Sequence, residues 1–221
     1  MSEVSAKTRI GLLFDDGFVN STLATAELFE SFGLRAGFCV LANPAGFAPQ
    51  FRVGDFGLWN ELKSRGHRIH PHGYTHANLA AMSYPDATAE LEKCLATFNE
   101  KLHGFDASRA VFCFAYNSGT PALCQWLLTR VGAARIGGSG LLSAAQVQSR
   151  VWHSRTFGPG DPGADLLDTI AAAQRENPAA VLYVLHGLDG EAWGAIARQN
   201  LCRTLELILA DSRLEYWNPS P

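Results

Sequence analysis

Hydrophobic residues along the chain alternate between two rhythms. Short continuous apolar runs occupy 9–14 (Arg-Ile-Gly-Leu-Leu-Phe), 35–41, 110–115, 133–136, 151–156 and 180–185. Such runs, bounded by turn residues, predict strands buried on both faces, as in parallel sheets. Between them, apolar positions recur at helical spacing over 22–32, 56–65, 84–102, 121–131, 164–176 and 193–209. In 84–102 the series Leu91, Cys94, Leu95, Phe98 and Leu102 marks one face of a long amphipathic helix. Gly33, Gly66 and Gly132 stand where helices should stop, and residues 67–69 and 214–217 predict two further brief strands.

Strand and helix thus alternate about seven times, with no internal repeat and no dividing linker. That order predicts one α/β domain over residues 1–221 around a parallel sheet, open or barrel-shaped. Three segments resist assignment. The 42–55 stretch, rich in Gly, Pro and Phe, predicts a long loop, 158–162 (Gly-Pro-Gly-Asp-Pro) breaks the chain, and 141–150 carries only a weak signal.

Composition adds boundaries. The chain is 221 residues long, 47% hydrophobic and 18% charged, an ordinary globular balance. A net charge of −3 without a basic run argues against nucleic acid or an anionic membrane as partner. No apolar run reaches the roughly 18 residues of a membrane span. The first eight residues lack the apolar stretch of a signal peptide, so a cytoplasmic location is expected. The five cysteines are odd in number and form no Cys-x-x-Cys, which favours core thiols over disulfides or a metal knot. Oligomeric state has no sequence signal.

The chemistry collects where predicted strands end. Asp15-Asp16-Gly17 ends the first run, His186 follows 180–185, and residues 66–79 hold four of the seven histidines: His67, His70, His72 and His76. His72 and His76 stand four apart, a spacing that puts both on one face of a helical turn, although Pro71 and Gly73 oppose a regular helix. Taken singly, Asp-Gly is ordinary turn chemistry and a lone strand-end histidine is often a satisfied core residue. Jointly they offer a carboxylate and two imidazoles at the carboxyl ends of parallel strands, where α/β sites gather. That donor set suits a catalytic transition metal with an open position.

Three stretches also resemble motifs of one family. Phe14-Asp15-Asp16-Gly17 is similar to the first motif of the polysaccharide deacetylases. Residues 66–79 resemble their second motif almost position for position, and Val184-Leu185-His186 the late motif at the end of the last barrel strand. The resemblance implies a distorted, TIM-barrel-like (β/α) barrel of about seven parallel strands. It also implies one divalent metal, commonly zinc, with cobalt or nickel as alternatives. Carried over, Asp16, His72 and His76 would bind the metal, Asp15 would be the general base and His186 the general acid. Val184 would line a pocket for the acyl methyl group. His67 and His70 fall at positions the family leaves free of metal, so a supporting role is expected.

Two family motifs are altered. Phe114-Ala115-Tyr116-Asn117-Ser118-Gly119 keeps the Phe and Gly of the third motif but lacks its arginine and proline. The oxyanion N–H would then come from Tyr116 or Ser118, depending on register. Arg155 is the candidate to replace the arginine behind Asp15, against the alternative of a surface arginine. For the fourth motif's aspartate, Asp161, Asp165 and Asp168 qualify by position only. Trp152 and Trp193 could stack on a sugar, against a core or rim role.

The expected activity is metal-dependent removal of an acetyl group from an N-acetylated sugar or related small amide, on a carbohydrate or other small-molecule substrate. Its rivals are hydrolysis of another C–N bond, in a cyclic amide or formamide, and a catalytically silent carbohydrate-binding protein.

Overall fold

The first strand, β1 (Thr8–Asp16), is buried along almost its whole length and organises the sheet. The structure, a computed structural model, describes residues 7–221. After β1 come α1 (Val19–Ser31), β2 (Gly37–Val40), α2 (Phe56–Ser64), β3 (Arg68–Pro71) and α3 (Tyr84–Lys101). Then follow β4 (Val111–Cys113), α4 (Pro121–Leu128), β5 (Ala133–Gly137), β6 (Leu141–Leu142) and α5 (Ala144–Gln148). The series closes with β7 (Val151–Thr156), α6 (Gly163–Glu176), β8 (Ala180–Leu185), α7 (Arg198–Ala210) and β9 (Leu214–Trp217). Seven parallel strands run in the order β3-β2-β1-β8-β7-β5-β4 and curl into the expected, nearly closed barrel with helices outside.

Strand periodicity sorts the core into two layers. Ile10, Leu12 and Phe14 face outward and pack with Ala26 and Phe29 of α1 and with Trp59 of α2. Leu13 faces the barrel interior with Cys39, Val111, Cys113, Ala133, Trp152, Leu182 and Val184. Alternation of side chains along a strand produces both layers from one sequence. All five cysteines are free, four of them buried, as core thiols should be.

The barrel has one seam and one floor. Among the described residues no backbone ladder joins β3 to β4. Instead His70 lies between them. Its Nδ1 accepts the Val111 N–H at 3.2 Å, and its Nε2 donates to the Pro219 carbonyl at 3.1 Å. The floor is the C-terminal segment, where β9 pairs with Thr8–Gly11 of β1 and Trp217 packs edge-on against Trp152 at 5.1 Å. A Cβ on Gly11 would lie 2.9 Å from Pro219 Cγ and 3.0 Å from Trp217 Cε3, so glycine is what lets the floor close.

Differences from the sequence expectation are local. The weak 141–150 segment contains β6, antiparallel to β8, and α5, which opens with a capping box between Ser143 and Gln146. The last helix begins at Arg198 rather than near Trp193. Residues before it form a loop tied to α1: Glu191 accepts the Ser21 N–H at 2.6 Å and an Asn20 Nδ2–H at 3.1 Å. That carboxylate serves an α1 terminus whose own preceding residue, Phe18, provides no side-chain cap.

Overpacking a closed floor is destabilising, so Gly11→Ala should cost about 1–3 kcal/mol. Urea denaturation would show this as a lower midpoint with an unchanged slope.

Candidate active site

At the carboxyl ends of the strands a cavity of about 510 Å³ opens, lined by Asp15, Asp16, His72, His76, His186 and a ring of loop residues. The first problem it solves is parity. On a regular strand Asp15 and Asp16 would face opposite sides of the sheet. Asp16 instead takes a left-handed φ of 74°, and Gly17 follows at 78°. Both carboxylates therefore reach the same mouth. Gly17 has no substitute here, because a Cβ would lie 2.7 Å from the Trp59 ring.

His72 and His76 also converge without a helix. His72 follows the end of β3 with its N–H on the Val40 carbonyl at 2.9 Å, Gly73 turns at φ 102° and His76 sits at φ 63°. The spacing of four signalled proximity, but a loop rather than a helical turn provides it. Phe47 and Tyr116 flank the His76 ring, with centroids at 4.5 and 4.8 Å. Nine non-glycine residues among those described have left-handed φ, and six line this cavity: Asp16, Ala48, His76, Tyr116, Asn117 and Ala192. Backbone strain concentrated in this way characterises functional sites.

Ligand atoms of Asp16, His72 and His76 all lie within 4.8 Å of one another. Asp16 Oδ1 is 3.4 Å from His72 Nε2 and 3.3 Å from His76 Nε2, yet it is buried without a hydrogen-bond donor. His72 Nδ1 lies 2.8 Å from the Cys113 carbonyl. A carbonyl can only accept, so Nδ1 carries a proton and Nε2 is turned to the cluster. Burial disfavours charge on His72, but Asp15 and Asp16 overcome it and raise its pKa to about 8. Burial likewise opposes ionisation of Asp16, while the two imidazoles hold its carboxyl far below the usual range. The cluster thus presents a buried carboxylate oxygen without a donor and two imidazole nitrogens turned toward it, a donor set that suits a divalent cation.

Asp15 has a different partner. Arg135 of β5, fully buried, donates from Nη2 to Asp15 Oδ2 at 2.7 Å and from Nη1 to Asn117 Oδ1 at 2.7 Å. Burial works against an ionised Asp15, but Arg135 foremost, then His72 and His186, hold its carboxyl below the ordinary range. This corrects the assignment of Arg155. On β7, Trp152 and Ser154 are buried and point inward, so Arg155, one residue out of phase, faces the helices. There its Nε donates to Asp165 at 2.8 Å, a second contact comes from Nη2, and the Tyr183 hydroxyl shares the same carboxylate at 2.7 Å. Arg135 shares the inward phase of Ala133. Its signal was a lone arginine inside the otherwise apolar 133–136 run.

Other expectations shift as well. The Ser118 N–H is committed to the Ala115 carbonyl, and Ser118 does not line the cavity. Tyr116 does, and among the described residues no backbone carbonyl accepts its N–H. Val184 is buried in the barrel interior below the cavity and does not line it, because a strand's inward face there is already filled by the core. Trp152 is core, its Nε1–H donating to Val147. Trp193 stands on the rim, edge-on to His186 at 5.0 Å. His67 accepts the Ala36 N–H at 3.0 Å and meets Glu30 at 3.1 Å, so it holds strand and helix together.

His186 faces the cavity with Nδ1 buried and unpaired, and among the described residues no carboxylate hydrogen-bonds to it. Asp161 and Asp165 are engaged elsewhere, with Asn200 and Arg155 respectively, and Asp168 lies on the outer helix α6. Burial lowers the pKa of His186, opposed by Asp15 and Asp16.

A sequence model of the polysaccharide deacetylases matches residues 3–127, more than half of the chain. The chain belongs to the polysaccharide deacetylase family, hydrolases that cleave the non-peptide C–N bond of N-acetyl amides. Solved structures share its fold at low identity. The catalytic domain of peptidoglycan N-acetylglucosamine deacetylase from Eubacterium rectale is 15% identical, with a TM-score of 0.62 over 97% of this chain and 89% of that one. The Xyl-CE4 domain of a multidomain xylanase from the hindgut metagenome of Trinervitermes trinervoides is 17% identical, with a TM-score of 0.61 over 96% and 87%. A family 4 carbohydrate esterase from Streptomyces lividans is 17% identical, with a TM-score of 0.56 over 91% and 90%. No curated protein matches the sequence.

Exchanging the two arginines separates their roles. Arg155→Ala should leave kcat/KM for acetate release within about twofold of wild type, whereas Arg135→Met should lower it by roughly 100-fold or more, because an unpaired buried Asp15 loses its charge or its position. Steady-state kinetics on folded variants, checked by circular dichroism, gives the comparison.

Proposed function

We propose that this protein is a metal-dependent hydrolase that removes the acetyl group from an N-acetylated sugar or a related small amide, with residues 1–221 acting as one catalytic domain. The observation that carries this reading is the cluster of Asp16, His72 and His76 around a buried carboxylate oxygen that has no donor. These three residues would hold the cation, zinc in the first instance with cobalt or nickel as alternatives. A bound cation of this kind polarises a carbonyl and lowers the pKa of a coordinated water from about 15.7 toward 7.

The chain's own groups then divide the proton transfers. Asp15, kept ionised by Arg135, accepts the proton of the attacking water at its free Oδ1, which is buried and unpaired. The Tyr116 N–H is available to the acyl oxygen as that oxygen gains charge. His186, neutral at rest, takes up a proton with the help of the Asp15 and Asp16 charges and passes it to the departing amine nitrogen, a poor leaving group when unprotonated. Trp193 at its edge and the loop residues around the mouth limit the access of bulk water.

Elemental analysis of protein purified without added metal is expected to find close to one zinc, cobalt or nickel per chain, and His72→Ala should lose it. A metal-free, active wild type would overturn the reading. Incubation with N-acetylglucosamine derivatives should release acetate, and release should cease after chelation and return with added zinc; formate release from an N-formyl substrate in its place would move the specificity to a different acyl group.

A further inference from the structure

We propose that Asn117 determines substrate specificity by donating a hydrogen bond from its carboxamide nitrogen to a hydroxyl on the carbon adjacent to the one that bears the acylated amine. This assignment rests on the hydrolase reading above and deepens it.

Donor arithmetic fixes the orientation of the Asn117 side chain. An asparagine carboxamide has an accepting end and a donating end, and the assignment of oxygen and nitrogen normally depends on the neighbours. Here the neighbour decides it. Arg135 has only donors, so the Asn117 oxygen must face its Nη1, at 2.7 Å. The amide nitrogen is thereby turned away from Arg135, and Asn117 lines the cavity. Among the described residues nothing accepts from it. A donor fixed in direction and left without a partner at a cavity wall is a recognition element.

Its position relative to the chemistry follows from the same guanidinium. Nη1 holds Asn117 while Nη2 holds Asp15, each at 2.7 Å. Asn117 is thus set within one side chain's span of the group that would take the water proton. A substrate hydroxyl reaching the Asn117 nitrogen would be joined to the reacting acyl carbon through the amide nitrogen and two carbons, a separation that one side chain's span can bridge. The backbone is built to keep it there. Asn117 has a φ of 54°, a conformation that asparagine tolerates better than most residues. At the end of β5, Gly137 leaves room for it, since a Cβ on that residue would lie 3.1 Å from Asn117 Cβ.

The rest of the wall narrows the substrate class. Apart from the Asp and His residues of the site, the cavity presents aromatic rings and alanines, with Gln50 and Thr156 as the other neutral polar side chains. Thr156 spends its hydroxyl proton on the Val184 carbonyl at 3.1 Å. Among the described residues no lysine, arginine or glutamate lines the cavity to meet a charged substituent. The class that fits is an uncharged, N-acylated vicinal amino alcohol, of which an N-acetylated sugar is one example.

The test compares acetate release from N-acetylglucosamine and from its 3-deoxy analogue by wild type, Asn117→Asp and Asn117→Gly. Asp keeps the acceptor that Arg135 needs and removes the donor, and Gly removes the side chain while tolerating the positive φ. Wild type should favour the hydroxylated substrate by about five- to tenfold, the value of one neutral hydrogen bond. Both variants should lose that preference, mainly through KM, and process the deoxy substrate much like each other. A preference retained in Asn117→Asp overturns the assignment. So does an equal loss on both substrates that Asp restores and Gly does not, because that pattern means Asn117 only holds Arg135. Absence of acetate release by wild type overturns the hydrolase reading instead. In that case NMR titration with N-acetylglucosamine still decides for Asn117: weaker binding by Asn117→Asp supports the donor, and unchanged binding removes it.

Discussion

One buried charge constrains the whole site. Arg135 lies fully inside the barrel, where a guanidinium without partners would cost several kcal/mol. Its position is tolerable because β1 and the turn after β4 each deliver an acceptor, Asp15 from one side and Asn117 from the other. The pairing works in both directions. Arg135 keeps Asp15 ionised in a place where burial alone would protonate it. Asp15 in turn fixes the guanidinium, and through it the direction of the Asn117 carboxamide. Three strand ends are locked by a single planar group, whose fork geometry suits this task better than an ammonium would.

The histidine segment shows how one stretch of sequence can be divided between architecture and chemistry. His67 and His70 turn away from the cavity and use both ring nitrogens to join elements: α1 to the start of β3, and the β3–β4 seam to the C-terminal floor. His72 belongs to both roles. Its Nδ1 bonds to the last residue of β4, so the seam is held on that side, and its Nε2 faces Asp16. Only His76 is committed entirely to the mouth, where Phe47 and Tyr116 flank it. A barrel that lacks a backbone ladder at one seam thus uses imidazoles there, and the last of them continue into the site.

The loops around the mouth have a common anchor. The 42–55 loop is held by backbone hydrogen bonds to Gly17 and Val19, and the 187–197 loop by Ser21 and Asn20, all in the few residues after Asp16. The start of α1 therefore carries both walls of the cavity as well as the carboxylate pair. This arrangement explains why the left-handed residues cluster here: chain segments leaving several strands must turn sharply to converge on one small volume.

The sequence alone determined the parallel α/β order and the candidate reacting groups that end its strands, and the family resemblance added the barrel. Apolar runs and helical spacing are local properties, and they marked the alternation of strand and helix over nearly the whole chain. Asp15, Asp16, His72, His76 and His186 were legible because charged and imidazole groups interrupt apolar runs at strand ends, and a strand end in a parallel sheet has a known address. The proximity of His72 and His76 was legible, but its loop geometry was not, since Gly73 and His76 adopt left-handed backbone that spacing does not encode. What only the tertiary structure decided was the partnership between distant strands. Whether Arg135 or Arg155 reaches Asp15 depends on strand phase: a shift of one residue sends a side chain to the opposite face, and that phase is set by packing across the barrel. Depth in the packed interior removed Val184 from the cavity, and the left-handed turn after β4 left the Tyr116 N–H, rather than that of Ser118, without a carbonyl and put Asn117 at the cavity wall.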